Sequence, residues 1–147
     1  MQYWAAQPAT LQTVMGGYAH VSPPDVRGSD AFLRLVLPAV ASPDDPRRPL
    51  VAADCGAGVG RVTQHVLLRL FDQVDLFEPV QHFLDTAQEK IGFAPEGPSG
   101  TPRAVTYTCQ PLEEFEPAAG RYDVIWAQAR CRRSWRLRAC CGAAASR

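Results

Sequence analysis

The sequence predicts an α/β fold, a doubly wound parallel sheet, and three observations carry that expectation. Leu50–Arg61 (LVAADCGAGVGR) passes from a short apolar run through three glycines into a helix with apolar Val62, Val66 and Leu70. A second short strand, Gln73-Val-Asp-Leu-Phe, follows at once and closes on an acid, Glu78. Beyond it come a helix and two more strands, an alternation that builds the first half of a sheet with helical crossovers. Ligands in such sheets bind beyond the carboxyl ends of the strands, so the ends of the first, second and fourth strands converge on the candidate site.

Taken in order, Tyr3–His20 holds Tyr3, Trp4, Met15 and Tyr18, enough apolar area to pack as a small cap over 1–28, with Gly16-Gly17 as its turn. Pro23-Pro24 reads as a rigid connection that does not continue a helix. Ser29 then caps a helix over about Asp30–Leu37, with Phe32, Leu33, Val36 and Leu37 on its apolar side. Pro38 and the polar stretch 42–49 (SPDDPRRP) end it and lead into the first strand.

The glycines Gly56, Gly58 and Gly60 can take positive φ and bring bare backbone to a polar ligand at a helix N-terminus. A tight strand-to-helix turn needs glycine with or without a ligand, and both readings stand at this point. The dinucleotide fingerprint Gly-x-Gly-x-x-Gly is broken by Arg61, which disfavours a nicotinamide-dependent oxidoreductase. Glu78 lies 18 positions after Gly60, near the offset of about 20 at which an acid meets ribose hydroxyls. Its other reading is a solvated residue at a strand end.

A second helix is expected over Gln81–Ile91, with Phe83, Leu84, Ala87 and Ile91 on one face and Gly92 as its stop. The stretch 93–103, rich in proline and glycine, reads as an exposed loop. Ala104–Cys109 is a third strand, Gln110–Phe115 a turn or short helix, and Tyr122–Ala127 a fourth strand.

The 147 residues suffice for one domain with a core. No apolar run is long enough to span a bilayer, and the start, Met1-Gln-Tyr-Trp, lacks the features of a signal peptide, which gives a cytoplasmic or nuclear expectation. The net charge of +0 hides an asymmetry: Ala129–Arg147 holds six arginines and no acid, leaving 9 basic against 15 acidic side chains in Met1–Gln128. An acidic body steers basic partners toward itself, and nothing in it indicates nucleic acid or membrane. Five cysteines form an odd count with no secretory context. Cys55 and Cys109 read as small buried thiols, and Cys131, Cys140 and Cys141 lack metal-site spacing, so no metal is expected.

Tyr3-Trp4, Val14–His20 (VMGGYAH), Asp54–Arg61 (DCGAGVGR) and Tyr122–Gln128 (YDVIWAQ) together resemble the alpha-N-terminal protein methyltransferases. The glycine turn alone resembles motif I of S-adenosylmethionine-dependent methyltransferases in general; the Gly-Gly-Tyr-x-His block narrows the family. The resemblance implies a Rossmann-like class I methyltransferase sheet, S-adenosyl-L-methionine as cofactor, and methylation of the free α-amine of proteins that begin X-Pro-Lys or X-Pro-Arg. It implies cofactor contacts from Gly56, Gly58, Arg61, Glu78, Leu112 and Gln128, with Arg61 on the methionyl carboxylate and Trp4 and Met15 closing over the cofactor. Glu78 stands where relatives often carry Asp.

The resemblance covers Tyr3 to Gln128 and stops there. The family's catalytic Asp and His lie downstream of the Tyr122–Trp126 strand, where nothing matches; His20 does not match them, and no catalytic residue is assigned. The chain thus reads as a cofactor half-domain over 29–128, truncated after the fourth strand, with weak or absent activity. The alternative is a non-catalytic cofactor-binding fragment or partner of a full-length methyltransferase. Residues 129–147, biased to Arg, Cys and Ala, are expected to be a disordered tail, either a stretch in a foreign reading frame or a genuine basic arm. Missing strands would leave open sheet edges and exposed apolar surface.

Overall fold

A computed structural model describes residues 2–40, 48–92, 96–100 and 103–128. The tail and its cysteines Cys131, Cys140 and Cys141 lie outside the described residues. Four parallel strands, β1 (Val51–Cys55), β2 (Gln73–Phe77), β3 (Ala104–Thr108) and β4 (Val124–Ala127), stand in the order β3-β2-β1-β4. The chain therefore builds outward from β1 through β2 to β3, then returns to the other side of β1. The carboxyl ends come level, with Cys55 opposite both Phe77 and Ala127. Between β1 and β4 lies the point where the order reverses, the position at which doubly wound sheets open a crevice.

Every residue of β1 is buried, and Ala52 and Ala53 are wholly so. Small side chains at the sheet's centre let the flanking elements approach closely. Val66, Leu67, Leu70 and Phe71 follow the glycine turn and pack with Val74, Leu76, Leu84 and Ala87 in one cluster with Leu33. The helix after the turn begins at Arg61, is wound as a π-helix over Thr63–Leu67 and ends over Leu68–Leu70. The next helix covers Gln81–Ile91 as expected and stops at Gly92, whose φ of 58° suits glycine.

The N-terminal part differs from expectation. Short helices α1 (Gln2–Ala5) and α2 (Leu11–Val14) precede a single long helix, α3 (Ser22–Val40). Pro23 and Pro24 sit in its first turn, where backbone N–H groups have no intrahelical acceptor and the proline φ is already helical. Ser29 is accordingly a buried residue within α3 and not its cap, and Pro38 lies inside the helix. The division at 28/29 falls inside α3, so cap and sheet share one helix. Leu33 faces the core with Val26, Val36 and Leu37 beside it, whereas Phe32 is 55% exposed and rests 6.3 Å from the Trp126 ring.

Of the cap residues, Val14 and Ala9 pack against Val59, Val80 and Phe83, while Tyr3, Trp4 and Tyr18 remain exposed. The Gly16-Gly17 turn is closed by Gln12, whose Nε2 donates to Gly17 O (2.7 Å) and whose Oε1 accepts from Ala19 N–H (3.3 Å). Cys55 is buried as expected; Cys109 is exposed, because it lies just past the end of an outer strand. β4 begins two residues later than expected, since the residues ahead of it serve as anchors. Asp123 accepts from Val51 N–H (2.8 Å) and pairs with Arg48, and Tyr122 Oη donates to Asp75 (2.9 Å). Ile125 on β4 and Phe32 and Leu35 on α3 are exposed.

Candidate functional site

The site starts where β1 ends. Gly56 N–H and Ala57 N–H both donate to Phe77 O (2.8 and 3.2 Å), which folds the chain back across the carboxyl end of β2. Two of the glycines are needed for packing. A Cβ on Gly60, at φ 73°, would lie 2.8 Å from Ala87 Cβ, so the Gln81–Ile91 helix rests directly on its backbone. One on Gly58 would lie 3.2 Å from Val14 Cγ1, where the cap presses on the turn. Gly56 is exposed and faces an open cleft.

Glu78 is buried, at 7% exposure, which removes its reading as a solvated strand end. Its Oε2 accepts from Gly58 N–H (2.9 Å) and its Oε1 from Val80 N–H (3.1 Å). Burial raises its pKa above the usual carboxylate value, and those two hydrogen bonds oppose the rise. Asp54, inside β1, accepts from Thr63 Oγ1 (2.6 Å) and is 3% exposed. Burial pushes its pKa up to about 6, against the Thr63 hydrogen bonds and the charge of Arg61.

Arg61 opens the helix after the turn and reaches two distant elements. Its Nη2 lies 2.7 Å from Asp25 Oδ2, on α3, and donates to Gln128 Oε1 (2.8 Å), just past β4. Gln128 Nε2 donates in turn to both oxygens of Asp25 (2.9 and 3.0 Å). The other guanidinium nitrogen, Nη1, is buried and has no hydrogen-bond partner among the described residues. A buried N–H group without a partner is costly, which marks Nη1 as a donor awaiting an acceptor.

Around this network lies a cavity of about 70 Å³ walled by Val14, Met15, Asp54, Gly56, Ala57, Gly58, Arg61, Val62 and Gln128. Five of the eight expected contacts therefore share one wall: Gly56, Gly58, Arg61, Gln128 and Met15. Glu78 stands one hydrogen bond behind it, through Gly58. Leu112, in a short helical turn over Leu112–Glu114, and Trp4, 42% exposed on α1, are not on the wall. Asp25 and Asp54 were missed as site residues. A lone acid in an otherwise apolar buried strand is a signal for Asp54, because burial demands partners for it. Asp25 carries no local signal; its role depends on where α3 begins.

Asp54 yields a pH prediction. With its folded pKa near 6 and an ordinary value of 3.8, the native state binds more protons than the unfolded chain in between. Stability therefore falls as pH rises from about 4 to about 6, by up to ~3 kcal/mol, and levels off above. Asp54→Asn keeps an acceptor for Thr63 and loses the titration. Urea melts at pH 4, 5, 6 and 7 should show the variant gaining on the native chain across that window; parallel profiles would mean that Asp54 stays charged throughout.

Known proteins resemble this chain over most of its length. A family model described as AdoMet-dependent proline di-methyltransferase matches residues 1–133. Alpha N-terminal protein methyltransferase 1 of Oryza sativa is 50% identical over 126 residues, covering 86% of this chain and 40% of that protein. N-terminal Xaa-Pro-Lys N-methyltransferase 1 of Xenopus tropicalis is 41% identical over 127 residues, covering 86% and 53%. The chain thus spans about half the length of these curated relatives or less. Among solved structures, a SAM-dependent methyltransferase of Leishmania major superposes with a TM-score of 0.65 at 31% identity, over 84% of this chain and 44% of that one. The plantazolicin methyltransferase BpumL, solved with SAH, shares the fold at a TM-score of 0.52 and 17% identity, over 86% and 44%. By the match over 1–133, the chain belongs to the AdoMet-dependent proline di-methyltransferase family.

Proposed function

We propose that the chain binds S-adenosylmethionine at the β1–β4 crevice and belongs to a machinery that methylates the α-amino group of proteins beginning X-Pro-Lys or X-Pro-Arg. The observation that carries the binding is Arg61 on the wall of a glycine-lined cleft, with its Nη1 buried and without a partner among the described residues. The donor set fits the cofactor: a guanidinium nitrogen for its carboxylate, backbone without Cβ at Gly56, and an acid, Glu78, behind the turn. The acceptor class rests on the relatives, which are N-terminal protein methyltransferases, and the acidic body of Met1–Gln128 suits a basic protein start.

When bound, S-adenosylmethionine supplies a methyl group on a positively charged sulfur. Within this chain, Arg61 would hold the carboxylate, Gly56 and Gly58 would line the amino-acid part, and Glu78 would accept from the ribose. Gln128 holds Arg61, Val14 covers the turn at Gly58, and Met15 stands beside it on the cleft wall. Trp4 and Leu112 complete the set, outside the present wall. A cavity of about 70 Å³ is well below the ~300 Å³ of a small ligand pocket. The cofactor therefore needs the Val14–Met15 segment to part from the turn, or it extends beyond the cavity toward Glu78. An α-amine has a pKa of about 7.7 to 8.0, so a sizeable fraction is unprotonated near neutral pH and the acceptor needs little help from a base.

Calorimetric titration of the 147-residue chain with S-adenosylhomocysteine, with NAD as control, tests the cofactor reading. Binding of the first alone is the expected result, and binding of neither would overturn it. Methyl incorporation into an X-Pro-Lys peptide, compared with the same peptide acetylated at its N-terminus, tests the acceptor.

A further inference from the structure

We propose that Asp25 is a positioning residue for the carboxylate anchor: it holds Arg61 by one arm and so presents the other to the ligand. The proposal rests on the S-adenosylmethionine reading and extends it to a residue on α3. Asp25, Arg61 and Gln128 form a closed ring of contacts, each side chain bonded to the other two at 2.7 to 3.0 Å. A guanidinium is planar and its five N–H groups form a rigid fork, so fixing Nη2 also fixes where Nη1 lies. Nη1 is the nitrogen left buried without a partner among the described residues.

The ring also sets the Gln128 amide. Its nitrogen must face the Asp25 carboxylate for its oxygen to face Arg61. Without Asp25 the amide N–H₂ loses its acceptor, and only the guanidinium still favours the Gln128 oxygen on its side. An arginine side chain has several rotatable bonds, and ordering it before the ligand arrives removes that entropy loss from binding. The pair is partly buried, with Arg61 11% and Asp25 32% exposed, so it also gives the arginine a counter-charge in the folded chain; comparing two ligands separates that role from positioning. The position of Asp25 adds a connection: α3 continues the cap segment that carries Val14 and Met15, so one residue ties the cap to the cofactor turn.

The test compares two ligands on the full chain. S-adenosylhomocysteine carries the amino-acid carboxylate; 5′-methylthioadenosine has the same adenosine and thioether without it. Asp25→Ala is expected to weaken S-adenosylhomocysteine by about tenfold and to leave 5′-methylthioadenosine within about twofold. Asp25→Asn, which retains one acceptor oxygen for Arg61, falls between. Unchanged or tighter S-adenosylhomocysteine binding by Asp25→Ala overturns the proposal, since Asp25 would then be idle or a competitor for Arg61. Equal loss of both ligands in both variants overturns it too, because it marks a merely structural role. If the native chain itself does not prefer S-adenosylhomocysteine, the fault lies with Arg61 as carboxylate anchor, and the proposal falls with that reading.

Discussion

Replacing Arg61 by alanine lowers the affinity of the chain for S-adenosylhomocysteine by about 100-fold, or ~2.7 kcal/mol. The size follows from the setting. The Arg61 side chain is only 11% exposed, and a charge-assisted hydrogen bond formed away from water is stronger than one at a surface. The variant leaves Asp25 and Gln128 bonded to one another, so the wall loses its cation without collapsing. Arg61→Lys keeps the charge but offers a point ammonium in place of a fork, and cannot serve Asp25, Gln128 and a ligand in the same geometry. It should recover only part of the loss. Calorimetry with both variants checks this, and a drop of less than about threefold for Arg61→Ala would remove Arg61 from the site.

Gly60→Ala destabilises the fold by about 2–5 kcal/mol. One part is conformational: at φ 73° an L-residue with a Cβ is strained by about 1–2 kcal/mol. The other is steric, since the new Cβ would lie 2.8 Å from Ala87 Cβ and 3.4 Å from Ala87 Cα. The near neighbour is a methyl fixed on the Gln81–Ile91 backbone and cannot rotate away, so helix and turn must separate, at about 1–3 kcal/mol for an overpacked contact. Gly28→Ala is the control. It lies in α3 with nothing within 4 Å of an added Cβ, so it should stabilise by about 0.5–1 kcal/mol. Urea denaturation of the two variants should move in opposite directions; a mild effect at Gly60 would mean that the helix is not seated on the turn.

The parts of the site that were legible in the sequence share one property: their partners are near in the chain or are backbone. The strand at Gln73–Phe77 and the helix at Gln81–Ile91 were expected with the bounds observed, because apolar periodicity and a stop glycine are local signals. The glycine turn and Glu78 came from the fixed order of strand, turn, helix, strand and acid. Where the reading failed, the deciding neighbour was remote or the signal was ambiguous. Pro23-Pro24 fits both a connection and a helix start, and what decided was the packing of Val26 and Leu33 with the core as one continuous α3. Trp4 and Tyr18 were expected to pack, and both are exposed, at 42% and 57%.

The sequence by itself determined the class of fold, the location of the turn and the chemical types around it. Only the tertiary structure decided how they act together. The three glycines look alike in the chain, yet one seats a helix, one meets the cap and one lines the cleft. Glu78 is tied to Gly58 N–H, and Arg61 is held by an acid from α3 and an amide from the end of β4. A side chain's type is written in its codon, but the charge, burial and free valence it presents depend on which distant residues fill its other contacts.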